Sequence, residues 1–264
     1  MLDVIREEIE GIPNRETKLH AVREFLQLLI LKILDDKGYF RNLAFVGGTA
    51  LKLLYGLRRF SEYLDFSLIK KEGYDFDLLL KKLGYEFKKV GFSVDFKKSV
   101  EGPVQSAMVK FNDILYFLGL SARKSQRLLI RLEVDSAPPL GWNTELGLVS
   151  KHFVFAVTHF DLPSLYATKL HACFFRKYIK GRDFYDLLWY LGKKVTPNFE
   201  LLNNAIEQTE HKRMNVNADK FKDFLRERLI HVNFAWVRKD VERFIEDKNE
   251  LRLLDRELIL KLIG

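Results

Sequence analysis

An apolar strand that runs directly into a glycine pair is the feature that most constrains the fold of this chain. Residues 43–46 are apolar, Gly47-Gly48 follows, and Thr49 precedes a segment of helical character over residues 50–57. Because glycine has no Cβ, the backbone N–H groups of such a turn can approach a phosphate closely, and the dipole of the following helix favours an anion. The segment predicts a phosphate-binding turn, although glycine pairs after strands are also typical of ordinary turns.

A strand that carries a carboxylate follows this turn. Over residues 63–68, Tyr63, Asp65 and Ser67 share one face, and the alternate apolar residues share the other. We expect the apolar face to pack in the core, which leaves the Asp65 face for chemistry. A carboxylate beside a phosphate-binding turn is suited to hold Mg²⁺ against the phosphate.

Hydrophobic periodicity divides the chain near residue 160. The first part predicts helices over residues 18–36, 50–57 (capped by Thr49) and 74–83 (ended by Gly84), and strands over residues 43–46, 63–68, 91–96, 107–118, 128–135 and 152–157. The second part predicts helices over residues 162–178, 183–192, 198–209, 219–232, 235–245 and 251–263. We therefore expect two domains, residues 1–160 and residues 161–264.

The strand over residues 128–135 is amphipathic in a way that suits the edge of a cleft. Arg131, Glu133 and Asp135 share one of its faces, and aliphatic residues share the other. Glu133 and Asp135 are therefore candidates for a further carboxylate beside Asp65.

A row of basic residues lies in the second part of the chain. Lys169 and Arg176 are seven residues apart, which places them on one face of the predicted helix, and Asp183 follows. Cations in such a row, oriented by an acid, would hold a triphosphate or an RNA backbone. The same pattern is also typical of a solvated basic surface with Asp183 as an acid at a helix start.

The overall charge favours an anionic partner. Lys and Arg outnumber Asp and Glu by 44 to 36, a net charge of +8, which is compatible with a nucleotide or nucleic acid. The single cysteine excludes an internal disulfide and suits a reducing compartment. Because no stretch approaches about 18 uninterrupted apolar residues, and the N-terminus has no apolar signal region, we expect a cytoplasmic protein without a membrane partner.

Three motifs follow one another along the chain. They are Gly47-Gly48-Thr49-Ala50-Leu51, then Arg59-Phe60-Ser61-Glu62-Tyr63-Leu64-Asp65-Phe66, then Lys169-Leu170-His171-Ala172 with Arg176 and Arg182-Asp183-Phe184-Tyr185-Asp186-Leu187. Together they resemble the AbiEii/AbiGii toxin family, which belongs to the polymerase-β-like nucleotidyltransferase superfamily. The resemblance extends over about residues 20–250.

The resemblance implies a fold, an activity and a set of partners. The implied fold is α/β (α+β), with a nucleotidyltransferase core built on a small mixed sheet and a helical C-terminal region that contributes its Lys/Arg/Asp motif to the cleft. The implied function is that of a type IV toxin–antitoxin or phage-defence toxin, which transfers a nucleotide from an NTP to RNA. Some members of the family modify the acceptor end of tRNA, so tRNA is the expected RNA. Mg²⁺ or Mn²⁺ is the implied cofactor, and a cognate antitoxin is an implied partner.

The resemblance also assigns roles to residues of this chain. Asp65 would be the second acid of an Asp-x-Asp metal pair, and a third acid, which activates the attacking hydroxyl, would be Asp135 or Glu133. Asp135 is preferred because it lies at the strand end. The implied nucleotide-binding residues are Gly47, Gly48, Thr49, Ser61, Lys169 and Arg176, and the implied catalytic residues are Asp65, Asp135, Lys169 and Asp183.

Tyr63 departs from the family pattern, because it stands where the first metal-binding acid is expected. Glu62 points to the opposite face of the strand and is a poor substitute. Loss of one such acid would cost on the order of a thousandfold in rate. A naturally degenerate member, a one-metal enzyme that uses Asp65 and Asp135, and a sequence altered at this site all fit the pattern.

We therefore expect nucleotide binding to be retained and catalysis to be weak or absent. The alternative function is a catalytically inactive protein that binds a nucleotide or RNA. A third hypothesis is a nucleotidyltransferase that modifies a small molecule, and the net positive charge of the chain disfavours it.

Overall fold

A seven-stranded mixed sheet organises the first part of the chain. The computed structural model describes residues 1–264. The strands are β1 (Leu43–Val46), β2 (Tyr63–Leu68), β3 (Val94–Glu101), β4 (Val104–Phe111), β5 (Leu128–Asp135), β6 (Thr144–Val149) and β7 (Phe155–Phe160), in the spatial order β3-β4-β5-β2-β1-β7-β6. β2 runs parallel to β5, and β1 runs parallel to β7, whereas the pairs β1–β2, β3–β4 and β4–β5 are antiparallel.

Helices precede the sheet, connect its strands and make up the rest of the chain. They are α1 (Leu2–Glu10), α2 (Arg15–Asp36), α3 (Gly47–Tyr55), α4 (Phe76–Lys89), α5 (Ile114–Phe117), α6 (Leu162–Phe174), α7 (Gly181–Gly192), α8 (Phe199–Glu210), α9 (Ala218–Leu229), α10 (Phe234–Val241) and α11 (Arg256–Ile263). Short 3-10 helices span Tyr39–Arg41, Glu242–Phe244 and Lys248–Leu253. The predicted class, a mixed α/β sheet followed by a helical region, is confirmed. None of the helices is both long enough and apolar enough to cross a membrane.

The chain forms two compact units. Unit 1 comprises Met1–Thr49, Ser61–Ala137 and Leu146–His159, and unit 2 comprises Ala50–Phe60, Pro138–Glu145 and Phe160–Gly264. The main change from one unit to the other falls next to residue 160, and two short earlier segments belong to unit 2.

The core of unit 1 is built around α2, which is buried on more sides than its periodicity predicts, because every residue from 25 to 31 is buried. Asn14 caps this helix by accepting a hydrogen bond from the Thr17 N–H, and Phe25 and Ile30 are buried. Phe45 of β1 packs against Phe66 of β2, with 5.5 Å between ring centroids. The alternation predicted for β2 holds over residues 63–66, where the apolar side chains are buried while Tyr63 and Asp65 are partly exposed, but Ser67, predicted on the same face as Asp65, is buried.

The prediction that Gly84 ends a helix is wrong. α4 continues through it to Lys89, and a Cβ placed on Gly84 would lie 3.2 Å from the Phe96 ring of β3. Gly84 therefore allows α4 to approach β3 closely. In the sequence, a glycine with this packing role looks the same as a glycine that ends a helix.

Strand boundaries in unit 1 also differ from prediction. The strand predicted over residues 107–118 ends at Phe111, and residues 114–117 form α5 after Asp113, which has a left-handed backbone. The hairpin at Gly102, with φ of 58°, joins β3 to β4, so β3 lies later than predicted. β7 also lies three residues later than its predicted start. The edge strand β6 is absent from the prediction, because exposed Leu146 and Leu148 flank a glycine and give no core-facing pattern.

In unit 2 the predicted helices are present, with one consequential correction. α6 ends at Phe174, whereas the pattern predicts a helix to residue 178. The rings of Phe174 and Phe175 both contact Phe224 of α9, and the chain leaves the helical conformation at Phe175. Arg176 therefore lies after the helix, and the prediction that it shares a helix face with Lys169 is wrong. Smaller shifts place the start of α7 at Gly181 and the start of α11 at Arg256.

A histidine lies where α6 meets α8. His171 Nε2 is 3.0 Å from Thr209 Oγ1, and its ring stacks on Phe175. Burial, with a smaller contribution from the Arg176 charge, lowers the pKa of His171 to about 4. The neutral imidazole is therefore the form that the folded protein favours.

This site predicts a pH dependence of stability. Because an unfolded histidine has a pKa of about 6.5, the unfolded state binds more protons below that pH, and stability falls as the pH drops from about 6.5 to about 4. We expect a loss on the order of 1–3 kcal/mol over this window from His171, and His171→Gln should remove that part of the loss. Urea unfolding at several pH values measures it, with His231→Gln at an exposed position as the control. Identical profiles for wild type and His171→Gln would contradict the assignment.

Candidate functional site

The glycine turn lies directly beside the carboxylate strand. β1 and β2 pair with Val46 opposite Asp65, so Gly47 follows next to the Asp65 side chain. Gly47 has a φ of 78°, and a Cβ placed on it would lie 2.4 Å from Asp65 Oδ2. Only glycine suits this position, since it needs both a left-handed backbone and an empty Cβ position.

The same turn begins a helix. α3 starts at Gly47, and the N–H groups of its first turn have no acceptor within the helix. Such N–H groups and the helix dipole favour a phosphate or another anion. The turn predicted from sequence is thus present, with a carboxylate beside it.

Thr49 and Ser61 fasten this turn to the start of β2. The Thr49 Oγ1 lies 2.8 Å from Ser61 Oγ and 2.5 Å from the Tyr63 carbonyl oxygen, and Thr49 is 1% exposed. The predicted capping role of Thr49 is wrong, because α3 begins two residues earlier and the hydroxyl contacts β2 instead. Gln27 of α2 supports the same backbone, since its Nε2 donates to the carbonyls of Ser61 and Tyr63.

The parallel pairing of β2 with β5 sets the order of the carboxylates. Asp65 pairs with Glu133, and Ser67 pairs with Asp135. Paired residues on adjacent strands point to the same face, about 5 Å apart, so Glu133 is the acid beside Asp65 and Asp135 is one pair further along. Asp135 Oδ1 accepts a hydrogen bond from the Ala137 N–H, and burial raises the pKa of Asp135 despite that bond.

Tyr63 faces a cation rather than a metal-binding acid. It pairs with Arg131 across the same strands, and the Arg131 guanidinium carbon lies 5.9 Å from the centroid of the Tyr63 ring. Arg131 Nε also lies 2.7 Å from Glu133 Oε1. The guanidinium therefore contacts both Tyr63 and Glu133, the acid beside Asp65.

These residues do not fit a two-metal centre. Mg²⁺ is bound through hard oxygen ligands, and clustered carboxylates are needed to hold two such ions. No group of three or more His, Cys, Asp or Glu side chains in the chain is arranged to hold a metal ion. Asp65 and Glu133 offer two neighbouring carboxylates, but Glu133 is paired with Arg131, and Tyr63 supplies no charge.

Unit 2 contains a buried cluster of opposite charges. Lys169 Nζ lies 2.6 Å from Asp183 Oδ1 and 2.8 Å from Asp186 Oδ2. Arg59 makes a bidentate contact with Asp186, at 2.6 Å and 2.7 Å. Arg176 joins at the edge, with Nη1 3.5 Å from Asp183 Oδ2. The structure thus brings together the three predicted residues Lys169, Arg176 and Asp183.

The cluster stays charged although it is buried. Burial lowers the pKa of Lys169, but the Asp183 and Asp186 carboxylates outweigh this effect and raise it above its usual value. Burial raises the pKa of Asp183, and the charges of Lys169 and Arg176 outweigh that effect and bring it to about 2. Lys169 is only 8% exposed, whereas the Arg176 side chain is 45% exposed. Arg176 is therefore the member best placed to meet a ligand.

Several residues that build these sites are not predicted from the sequence. Arg59 and Asp186 lie inside the quoted motifs, but their mutual contact depends on tertiary structure. The alternation that places Arg131 on the same face as Glu133 and Asp135 is the feature of the sequence that indicates its contact with Glu133. Gln27 is a polar residue on the buried face of an apolar helix, which is the usual sign of a specific hydrogen-bonding role.

The chain resembles known proteins in sequence and in fold. A family model described as the nucleotidyl transferase AbiEii toxin of type IV toxin–antitoxin systems matches residues 29–256. The fold resembles the crystal structure of JHP933 from Helicobacter pylori, with a TM-score of 0.53 and 22% identity over 93% of this chain and 88% of that one. It also resembles a "putative nucleotidyltransferase" from H. pylori, with a TM-score of 0.50 and 23% identity over 92% and 90%. No curated protein matches the chain.

The close approach of Gly47 to Asp65 predicts an unusual sensitivity to a methyl group. Gly47→Ala should lower the free energy of unfolding by about 1–2 kcal/mol for the left-handed backbone, and by about a further 1–3 kcal/mol for the clash with Asp65. Gly73→Ala is the matched control, because Gly73 has a φ of 75° and nothing within 4 Å of its Cβ position. Urea unfolding measures both variants, and equal losses would contradict the assigned contact.

The buried charge cluster predicts a large cost for an isosteric substitution. Asp186→Asn removes a carboxylate shared by Lys169 and Arg59, which leaves two buried cations beside Asp183 alone. We expect a loss of about 3–5 kcal/mol in unfolding free energy. Asp223→Asn is the control, since it breaks an exposed ion pair with Arg226 and should cost less than about 0.5 kcal/mol. Thermal and urea unfolding compare the two, and similar losses would show that the cluster is not stabilising.

Proposed function

Because the chain belongs to the AbiEii family of nucleotidyl transferase toxins of type IV toxin–antitoxin systems, we propose that it binds a nucleoside triphosphate at the Gly47 turn and transfers nucleotides to RNA only weakly. The RNA that we propose is tRNA, modified at its 3′ end. The family also implies a cognate antitoxin, which we propose as the partner that counteracts the toxin.

The observation that carries nucleotide binding is the packing of the Gly47 turn against Asp65. A phosphate needs donors that can approach it without steric hindrance, and the backbone N–H groups of Gly47, Gly48 and Thr49 begin a helix where no Cβ intrudes at Gly47. Thr49 and Ser61 support this site through their mutual contact, so we assign them to holding the turn.

Nucleotide transfer would proceed by attack of the RNA 3′-hydroxyl on the α-phosphorus of the NTP. The new O–P bond forms as the bond to the β,γ-pyrophosphate breaks, and the hydroxyl proton passes to a carboxylate. We assign this carboxylate to Asp135, which lies at the end of β5 on the same face as Glu133 and has no ion pair like that of Glu133 with Arg131; burial also raises the pKa of Asp135, which makes it a better base. Glu133 is paired with Arg131 and serves to hold that cation.

Weak transfer follows from the residue that replaces the first acid. Tyr63 offers a neutral phenol, and Arg131 brings a positive charge to the place where the family pattern requires a negative one. The donor set then cannot assemble the cluster of anions that a two-metal phosphoryl transfer needs. We therefore propose no step through Mg²⁺ or Mn²⁺ in the native chain.

The alternative function is a pseudo-enzyme that binds a nucleotide or RNA without transfer. The contact of Arg131 with both Tyr63 and Glu133 favours it, because the guanidinium competes with any metal for Glu133. The two functions share the binding site and differ only in whether product forms.

Restoring the missing acid tests both functions. Tyr63→Asp, combined with Arg131→Met so that the new acid is not neutralised, should raise labelled-NTP transfer to tRNA on the order of a thousandfold in the presence of Mn²⁺. Tyr63→Phe with Arg131→Met is the matched control, because it removes the same cation and restores no acid.

Calorimetry with each NTP provides the second measurement. Wild type should bind NTP, and the restored variant should also bind Mn²⁺. Equal, rapid transfer by wild type and the restored variant would refute weak catalysis, and undetectable transfer by wild type would favour the pseudo-enzyme. Absence of NTP binding in every variant would refute the proposed site.

A further inference from the structure

Two loops of unit 2 are basic and contain no acid. Residues 175–180 connect α6 to α7 and carry Arg176, Lys177 and Lys180. Residues 211–217 connect α8 to α9 and carry Lys212 and Arg213. Neither segment contains Asp or Glu. The two loops therefore carry five cationic side chains and no anionic one, and of these Arg176 also contacts Asp183 of α7.

Arg228 of α9 joins the two loops into one surface. Its guanidinium lies over the Phe175 ring at 4.4 Å, and its Nη2 is 3.6 Å from Met214 Sδ. The Phe175 ring is itself stacked on Phe224, with centroids 6.3 Å apart. Arg228 therefore contacts both loops from a rigid helix, and we call residues 175–180 and 211–217 together with Arg228 the basic surface.

The basic surface also exposes an aromatic ring. Tyr178 is 72% exposed, and the Lys177 amine lies 5.4 Å from the centroid of its ring. Arg176, Lys177, Lys212 and Arg213 are all exposed around the same two loops. Cations that track a backbone, with an exposed aromatic side chain among them, form the usual arrangement for binding single-stranded nucleic acid.

The geometry points to a single-stranded RNA end as the ligand of the basic surface. We propose that Arg176, Lys177, Lys212 and Arg213 contact successive phosphates and that Tyr178 stacks on an unpaired base. The inference rests on the proposed RNA substrate and names the part of the chain that holds it. A free nucleotide is a poorer match, because the cations are spread over two separate loops and exceed what one triphosphate requires.

Fluorescence anisotropy of the full chain with a labelled single-stranded RNA and with labelled tRNA tests the proposal. The double variant Lys212→Met/Arg213→Met should weaken RNA binding about tenfold or more near 0.1 M salt, and should reduce the slope of log affinity against log salt by about 1–2. Tyr178→Ala should weaken binding of the single strand about 5- to 100-fold without changing that slope.

The control is Lys70→Met/Lys71→Met, an exposed adjacent pair in unit 1 that removes the same total charge. It should change RNA affinity less than about threefold. Circular dichroism confirms that each variant is folded, and calorimetry with NTP follows the nucleotide site separately.

The outcomes separate this inference from the proposed function. If the control pair weakens RNA binding as much as the Lys212/Arg213 pair, or if the basic-surface variants bind RNA like wild type, the inference is overturned. If wild type binds NTP but no RNA, the inference is again overturned and the nucleotide site stands. If wild type binds RNA through this surface but no NTP, the inference stands and the nucleotide site is refuted.

Discussion

The contact between Gly47 and the Asp65 carboxylate is the constraint on which the rest of the candidate site depends. It exists because β1 and β2 are antiparallel neighbours in a register that sets Val46 opposite Asp65. The parallel pairing of β2 with β5 then brings Glu133 alongside Asp65. The two neighbours of β2 thus place the N-terminus of α3 on one side of Asp65 and Glu133 on the other. Both positions are set by the backbone hydrogen bonds of the sheet.

Unit 2 buries four charged side chains in one cluster. Lys169 and Arg59 bring two positive charges, and Asp183 and Asp186 bring two negative ones, so the buried set is neutral. Such clusters add little net stability compared with apolar packing, but breaking one is costly, and they can define a unique arrangement. We interpret this cluster as the framework that orients Arg176, whose guanidinium remains partly exposed at its edge.

The sequence predicts those parts that local patterns determine. The presence of α2, the alternation over residues 63–66 of β2 and the glycine turn follow from periodicity and from the conformational range of glycine. The predictions for Gly84 and for the end of α6 are wrong because tertiary contacts decide both features. The Phe96 ring occupies the space beside Gly84, and Phe174 and Phe175 pack on Phe224. The pairing of Asp65 with Glu133 is likewise not predicted, since the alternation of each strand fixes which residues share a face but not whether Glu133 or Asp135 lies opposite Asp65.

The departure at position 63 is easier to interpret once its neighbour is known. A lone acid-to-tyrosine replacement would leave the remaining carboxylates in mutual repulsion and still available to a metal ion. Here Arg131 pairs with Glu133 and lies over the Tyr63 ring, so one side chain offsets a carboxylate charge and fills space beside the phenol. The replacement is therefore structurally compensated. Under the proposed function, a compensated site would stay folded and keep the Gly47 turn while lacking the anions that catalysis requires, so that nucleotide binding and nucleotide transfer would be separable.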